Sequence, residues 1–167
     1  MSKLTALAVS IAVLGGVWAF LSLNPLAGAT LVWVGFIAWG CYFHSGADSA
    51  ALQKTIAGMS YGAVIAGVAL YLVSFGMLGA LGVLAAPVII AVTVFALVII
   101  ASVNFLSVVP ANVYGYAATA GLALTAGSAG NTAMMNLTNP VLLVIISVVL
   151  GALFGMASGK LAGAIGK

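Results

Sequence analysis

Long apolar stretches alternate along the chain with short links that are rich in glycine, proline, asparagine and serine. About 20 mainly apolar residues in a helix are enough to cross the ~30 Å hydrocarbon layer of a membrane. The pattern therefore predicts one all-α domain, residues 1–167, folded as a polytopic membrane protein with six transmembrane helices. The predicted spans cover about residues 4–23, 29–43, 52–75, 83–102, 108–126 and 139–158.

Residues that favour turns and helix caps mark the ends of several predicted spans. Asn24-Pro25 ends the first span because proline disfavours helix at the residue before it, and Gly46 allows a turn after the second. Asp48 and Ser49 are the residues expected to cap the third helix. Asn139 is expected to cap the sixth, with a proline in the first turn. The first tract exceeds the ~7–15 apolar residues of a signal peptide, so we expect it to be a retained span.

Charged residues are scarce: the 167 residues include 4 lysines, no arginine and 1 carboxylate, and 65% are hydrophobic. A soluble domain carries about 25% charged residues, so lipid must be the main environment of this chain. Isolated lysines form no basic stripe, which disfavours nucleic acid as a partner. All of them fall on one side of a six-span topology, and the positive-inside rule then places both termini in the cytoplasm. They are Lys3, Lys54, Lys160 and Lys167.

The residue types that usually carry catalysis are few. The single cysteine, Cys41, allows no intrachain disulfide. Together with His44 and Asp48 it provides too few ligands for a metal site, which needs about three or four. A cysteine inside a span is more typical of packing than of nucleophilic chemistry. We therefore expect no enzyme, no catalytic residue, no cofactor and no metal. No charged residue lies in mid-span, which disfavours ion-coupled transport as well. A sodium site built only from hydroxyls and carbonyls is the alternative that the sequence leaves open.

The two halves of the chain are weakly similar, and each contains three predicted spans. Residues 34–43 parallel residues 110–119, and both stretches are followed by a turn and another span. A repeat of three spans must be inverted across the membrane, as in many transporters that bind their solute near the bilayer midplane. The other interpretation is a chance similarity between apolar, glycine-rich segments. The sequence leaves both open.

Five short motifs stand out within or beside the predicted spans. They are Gly15-Gly16-Val17-Trp18, Trp33-Val34-Gly35-Phe36, Tyr42-Phe43, Ser107-Val108-Val109-Pro110 and Gly151-Ala152-Leu153-Phe154-Gly155. In these motifs the chain resembles a family of small bacterial inner-membrane proteins, domain of unknown function 1097. The resemblance implies a multi-span protein of the bacterial inner membrane without an assigned activity. The family usually has glycine where this chain has Ala111. Because alanine does not reach left-handed conformations cheaply, this departure disfavours a tight backbone approach there.

Two helical stripes are the best candidates for solute contacts. Trp33, Phe36 and Trp39 recur every three residues on the second span, and a polar stripe follows residues 112, 116 and 119 on the fifth. Aromatic walls with a few hydrogen-bonding groups are how pores select small neutral solutes. The alternative is an interfacial aromatic belt, with Asn112 hydrogen-bonded between helices. The expected solute contacts are Trp18, Phe36, Trp39, Asn112, Tyr116 and Thr119.

Two Gly-x-x-x-Gly patterns let helices approach closely, one from Gly58 to Gly62 and one from Gly151 to Gly155. They fit either tight packing inside the chain or self-association. Because the links leave little mass outside the membrane, we expect a homo-oligomer, and like subunits usually meet in closed symmetry.

These observations favour a passive channel or facilitator for a small polar, uncharged solute. The scarcity of buried charge and the two stripes support this hypothesis, although no motif identifies a solute. The alternative is an accessory or scaffold subunit that does not transport, whose aromatic stripes pack against a larger membrane complex. In either case the lipid bilayer is a partner.

Overall fold

The computed structural model describes residues 1–167 as a bundle of six α-helices without a β-sheet. The helices are α1 (Lys3–Leu23), α2 (Val32–His44), α3 (Ser49–Ser74), α4 (Ala85–Ile99), α5 (Val109–Thr125) and α6 (Pro140–Ile165). Short 3-10 turns occupy the link before α4, the link from α4 to α5 and the link from α5 to α6. The predicted all-helical class is confirmed.

Four helical segments are long and apolar enough to cross a membrane: Lys3–Leu23, Ser49–Ser74, Gly79–Ser102 and Pro140–Ile165. The other two helices are shorter. With 13 residues α2 is about 20 Å long, and with 17 residues α5 is about 26 Å long. The structure thus has four helical segments long enough to cross a membrane and two shorter helices where the sequence predicts six spans. Each short helix is the second of three in its half of the chain.

Local signals account for several helix ends. The Asp48 carboxylate accepts the Ala51 N–H at 2.7 Å and caps α3. The Asn139 side chain accepts the Val141 N–H at 2.8 Å and caps α6. Gly46 has a φ of 119°, a left-handed turn conformation that favours glycine. These three predictions are confirmed.

The end of α6 differs from the prediction, since the helix continues to Ile165 rather than stopping near residue 158. This last part packs along the start of α1. The Ser10 hydroxyl donates to the Ser158 carbonyl at 2.7 Å, and the Lys167 N–H donates to the Met1 carbonyl at 3.0 Å. Tertiary packing therefore overrides the low helix propensity of the glycines in this segment.

The packing is organised around the two longest helices, α3 and α6, which contact each other. The short helix α5 lies along α3, and the short helix α2 lies along α6. On the outside, α4 packs against α3 and α1 packs against α6. Each short helix therefore packs mainly on the long helix of the other half. The core between them is formed by Val34, Ala38, Cys41, Met59, Ala63, Ala111, Ala118, Val144, Val148 and Ala152.

One end of the bundle carries most of the charge. A cavity of about 490 Å³ at this end is lined by residues from the start of α1, the α2–α3 link and the end of α6, including Lys3, Asp48 and Lys160. Phe105, in the link before α5, borders a second groove at this end together with Leu52. Both termini and two of the five links therefore lie on the same side of the bundle.

The most peripheral helix is α4. Its buried residues are Ile89, Thr93 and Leu97. Its contact with α3 includes a hydrogen bond from the Tyr61 hydroxyl to the Ala96 carbonyl at 3.0 Å, and two further hydrogen bonds join it to α5. Both apolar packing and hydrogen bonds thus attach α4 to the bundle.

Candidate functional site

Trp18 lies at the junction of three helices. It is fully buried on α1, and its indole N–H donates to the Val32 carbonyl at the start of α2 at 3.0 Å. Its ring lies 5.6 Å from that of Phe154 on α6. A side chain larger than hydrogen at Gly35 would overlap the indole, so the glycine makes room for the ring. The indole therefore ties α1 to α2 and α6.

The aromatic stripe of α2 divides between the inside and the outside of the bundle. Trp39 is only 3% exposed, and its indole N–H donates to the Ser158 hydroxyl at 2.9 Å. Ser158 in turn donates to the Gly155 carbonyl at 2.8 Å. Phe36 stacks on Trp39 with ring centroids 5.6 Å apart, but it is 41% exposed. Of these two rings, only that of Trp39 is buried inside the bundle.

The contact between α2 and α6 depends on small residues. A methyl group on Gly151 would overlap the backbone of Gly35, and one on Gly155 would press on Trp39 and Tyr42. The glycines of this Gly-x-x-x-Gly pattern therefore lie in a contact within the chain.

The polar stripe of α5 faces the interior of the other half. Asn112 is fully buried, and its Nδ2 group donates to the carbonyls of Leu97 at 3.2 Å and Leu106 at 3.1 Å. Its Oδ1 atom has no hydrogen-bond partner. Thr119 is also fully buried, and its Oγ1 atom has no partner either. Two polar atoms on one helix face are thus buried and unpaired.

Tyr116 lies between these residues in sequence and is half-buried. Its hydroxyl is 3.1 Å from Thr93 Oγ1 on α4. Because the Thr93 hydroxyl proton already points at the backbone carbonyls of α4, the tyrosine is the donor in this pair. The ring of Tyr116 also borders a cavity of about 210 Å³ between α3, α4 and α5, which has an apolar lining.

The crossing of α3 and α5 is also close. Methyl groups on Gly62 or Gly115 would overlap the backbone of the opposite helix, and one on Gly58 would lie 2.8 Å from the Ala111 methyl. The expectation that Ala111 disfavours a tight approach is wrong. Gly58 supplies the space, and Ala111 lies in a helix, where no left-handed backbone is needed.

Five of the six candidate contact residues lie in two separate clusters, and the sixth, Phe36, lies outside both. The aromatic cluster, Trp18 and Trp39, lies among α1, α2 and α6, and the polar cluster, Asn112, Tyr116 and Thr119, lies among α3, α4 and α5. Phe36 borders an outer groove with His44 and Tyr114. No cavity of the single chain is lined by more than one of the six.

The partners of these residues were not identified from the sequence. Thr93 and Ser158 hold the hydroxyl of Tyr116 and the indole of Trp39. Each is an isolated hydroxyl residue in a strongly apolar span. This isolation in the sequence could have identified them as hydrogen-bond partners, because a polar side chain buried in a membrane bundle requires a partner.

A family model described as "Protein of unknown function (DUF1097)" matches residues 8–163. The matched segment reaches from α1 to α6 and includes both clusters. No curated protein and no solved structure matches the chain.

Proposed function

Because the chain belongs to the family of unknown function DUF1097, which gives no activity to start from, we propose a function from its geometry. The protein is a passive channel or facilitator that moves a small polar, uncharged solute across a membrane. Its apolar helices are consistent with an integral membrane protein.

The observation that carries the proposal is the pair of unpaired, fully buried polar atoms on α5, Asn112 Oδ1 and Thr119 Oγ1. The two residues are seven positions apart, so they share a helix face and are separated by about 10 Å along the axis. Burying such a group without a partner costs about 1–3 kcal/mol. A hydrogen bond from a water molecule or a polar solute would remove that cost. Neither residue lines a cavity of the single chain, so such a molecule would reach these atoms only when the neighbouring helices move apart.

The position of the short helices supports the same proposal. In transporters built from inverted repeats, short or interrupted helices at corresponding places in the two halves mark the solute site. Here α2 and α5 are both short, each is second in its half, and each lies along the long helix of the other half. We propose that α1–α3 and α4–α6 are two inverted three-helix repeats.

The Gly-x-x-x-Gly patterns agree with such a repeat. Gly58 meets Ala111 at the α3–α5 crossing, and Gly151 meets Gly35 at the α6–α2 crossing. Residues 35 and 111 are the positions that the alignment of 34–43 with 110–119 makes equivalent. The same pairing of glycine pattern and short helix thus occurs in both halves.

The chemistry of the polar cluster suits passive movement of a neutral molecule. Its side chains are one amide and three hydroxyls, counting Thr93, and all of them are neutral hydrogen-bonding groups. The proposal therefore includes no enzymatic step and no cofactor.

The proposal places the protein in the bacterial inner membrane, with both termini in the cytoplasm. The charged end of the bundle, with Lys3 and Lys160, supports this orientation because cytoplasmic ends are enriched in lysine. We further propose a homo-oligomer. The four motif glycines are used inside the chain, so self-association must use outer faces, where Gly16, Gly40 and Gly121 leave open space.

The test is solute permeability with purified protein in liposomes. Stopped-flow shrinkage with urea, amides, glycerol and ammonia is expected to be faster than in protein-free liposomes for at least one solute. Thr119→Val is expected to reduce that rate while the protein remains folded. If no solute in the panel moves faster than through lipid alone, the facilitator proposal is wrong.

One observation favours the accessory-subunit alternative, since no cavity of the single chain connects the aromatic and polar clusters. A scaffold subunit leaves liposomes tight and co-purifies from membranes with a larger partner in fixed ratio. A facilitator raises permeability alone and needs no such partner.

A further inference from the structure

We propose that the cavity at the charged end of the bundle binds the phosphate-bearing headgroup of an anionic phospholipid. The cavity has a volume of about 490 Å³ and lies among the start of α1, the α2–α3 link and the end of α6. The inference goes beyond the proposed transport of a solute and does not depend on it. It shares with that proposal only the placement of the charged end at a membrane surface.

The charged side chains around the cavity favour an anion. Lys3 on α1 and Lys160 on α6 both line it. Asp48, the one carboxylate side chain of the protein, lines it as well. This carboxylate accepts the Ala51 N–H at 2.7 Å, and the positive end of α3 balances part of its charge. Ser49 adds a hydroxyl that can donate to a phosphate oxygen, so the lining is positive overall and rich in donors.

The two lysines lie at the level of a lipid headgroup. Lys3 is the first residue of α1, and Lys160 lies five residues, or about 7.5 Å, before the end of α6 at Ile165. A lysine near a helix end extends its ammonium group to the membrane surface while its methylene groups stay against apolar atoms. Basic pockets between helices on the cytoplasmic side of a membrane are a recurrent type of site for anionic headgroups.

Small residues near the end of α6 make room for the ligand. Gly159 and Gly163 both line the cavity. A methyl group on Gly163 would have nothing within 4 Å, and one on Gly159 would only reach the ring of Phe43, at 3.7 Å. A water molecule takes about 30 Å³ in the liquid. The cavity is many times larger, so it has space for a phosphate and the glycerol attached to it.

The apolar part of the lining favours a lipid over a soluble phosphate. Leu7, Phe43 and Met156 border the cavity together with the lysines. A free phosphate ion would contact only the charged and polar groups and would leave these apolar side chains against water. A phospholipid places its phosphate near the lysines and its glycerol and upper chain carbons against the apolar side chains, so it matches both parts of the lining.

The experiment is native mass spectrometry of the full chain in mild detergent, titrated with phosphatidylglycerol or with phosphatidylcholine of the same acyl chains. The fraction of protein that carries one lipid gives an apparent affinity for each. We expect phosphatidylglycerol to bind about five- to 25-fold more tightly, because each lysine near an anionic headgroup contributes about fivefold. Phosphatidylcholine carries a quaternary ammonium group, which the two lysines repel.

Charge variants test the assigned residues in both directions. Lys3→Gln and Lys160→Gln are each expected to weaken phosphatidylglycerol binding by about fivefold. Asp48→Asn keeps a good helix cap but removes the negative charge, so it is expected to strengthen this binding. Lys54→Gln is the matched control, since Lys54 lies in the second turn of α3 but does not line the cavity. We expect it to leave the affinity unchanged.

A shape variant tests the cavity itself without changing any charge. Gly163→Leu places a side chain into the open space beside α6 and is expected to weaken phosphatidylglycerol binding. Leucine favours helix over glycine, so the variant should fold. Circular dichroism and the midpoint of thermal denaturation in lipid-free detergent check the fold of every variant.

Three outcomes would overturn the proposal. If phosphatidylcholine binds as tightly as phosphatidylglycerol, the cavity does not select an anion. If Lys54→Gln weakens binding as much as Lys160→Gln, the attraction is general to the charged surface and the cavity is not the site. If glycerol 3-phosphate, added at the same concentration, displaces phosphatidylglycerol, the ligand is a soluble phosphate ester and not a lipid. None of these results bears on solute permeability in liposomes, which tests the proposed function separately.

Discussion

At the residue scale, Thr93 and Thr119 show how differently one side chain is used within a single bundle. Both are buried in helices, at 7% and 0% exposure. The Thr93 hydroxyl bonds to the backbone of α4 and accepts from Tyr116, whereas the Thr119 hydroxyl has no partner. The same type of side chain is therefore hydrogen-bonded at one position and unpaired at the other.

Replacing each threonine by valine, which has nearly the same shape, tests this contrast. Thr119→Val is expected to leave the free energy of unfolding unchanged or to raise it by up to about 1 kcal/mol, because it removes an unpaired polar atom. Thr93→Val is expected to lower it by about 1 kcal/mol, because the Tyr116 hydroxyl loses its partner. Denaturation in detergent, followed by circular dichroism, measures both. Equal destabilisation by the two variants would show that Thr119 is hydrogen-bonded in the folded protein.

Helix spacing in the sequence predicts which residues share a face but does not show where each face points. The spacing of Asn112, Tyr116 and Thr119 predicts one polar face, and these residues are all buried or half-buried. The same spacing argument predicts that Phe36 and Trp39 share a face, but in the structure Phe36 is exposed and Trp39 is buried. In an apolar chain both the lipid and the protein interior accept aromatic rings. The difference in polarity between the faces of the helix is therefore too small to predict which face is buried.

At the element scale, the crossing of α3 and α5 is set by backbone contact. Gly62→Ala would push a methyl group into the backbone of Asn112, which cannot move without separating the helices. We expect this variant to be destabilised by several times the ~1 kcal/mol typical of a point mutation. Reduced yield of folded protein and a lower midpoint of thermal denaturation are the measurements.

Gly121→Ala is the matched control, since it changes a glycine of α5 that has nothing within 4 Å of the added methyl group. Alanine favours helix over glycine by about 1 kcal/mol, so this variant is expected to be neutral or more stable. Destabilisation of both variants to the same extent would contradict the view that Gly62 is needed for close packing.

Helix ends were predictable from sequence where a capping side chain was present, as at Asp48 and Asn139. Where tertiary packing decides, prediction failed. The helix α6 extends to Ile165 because its last part packs along α1. The helix α2 has only 13 residues, since the turns that follow α1 continue up to its start at Val32. Hydropathy reports which residues avoid water but not how far a helix continues, because lipid and protein contacts look alike in composition.

At the scale of the whole molecule, the proposed topology assigns each link to one side of the membrane. In a Cys41→Ala background, a cysteine at Leu78 is expected to react with a membrane-impermeant maleimide from the periplasmic side. A cysteine at Ile165 is expected to react from the cytoplasmic side only. The reverse labelling at either position would overturn the six-crossing topology with both termini inside.

The proposed self-association is tested by native mass spectrometry in mild detergent over a wide range of protein concentration. We expect one closed oligomer to dominate, because short links leave little mass outside the membrane and several helix faces remain uncovered. A monomer at every concentration would contradict the proposal.

The loose attachment of α4 has a consequence for amide hydrogen exchange. Only three residues of α4 are buried, so little packing holds it, and its hydrogen bonds to Tyr61, Asn112 and Tyr116 add to that packing. Such a helix is expected to open as a cooperative unit before the rest of the bundle. Its amide protons should lose protection first, while those of α3 and α6 exchange only on global unfolding. Because α4 covers one side of the polar cluster, its opening would expose Asn112 and Tyr116 before any other part of the bundle unfolds.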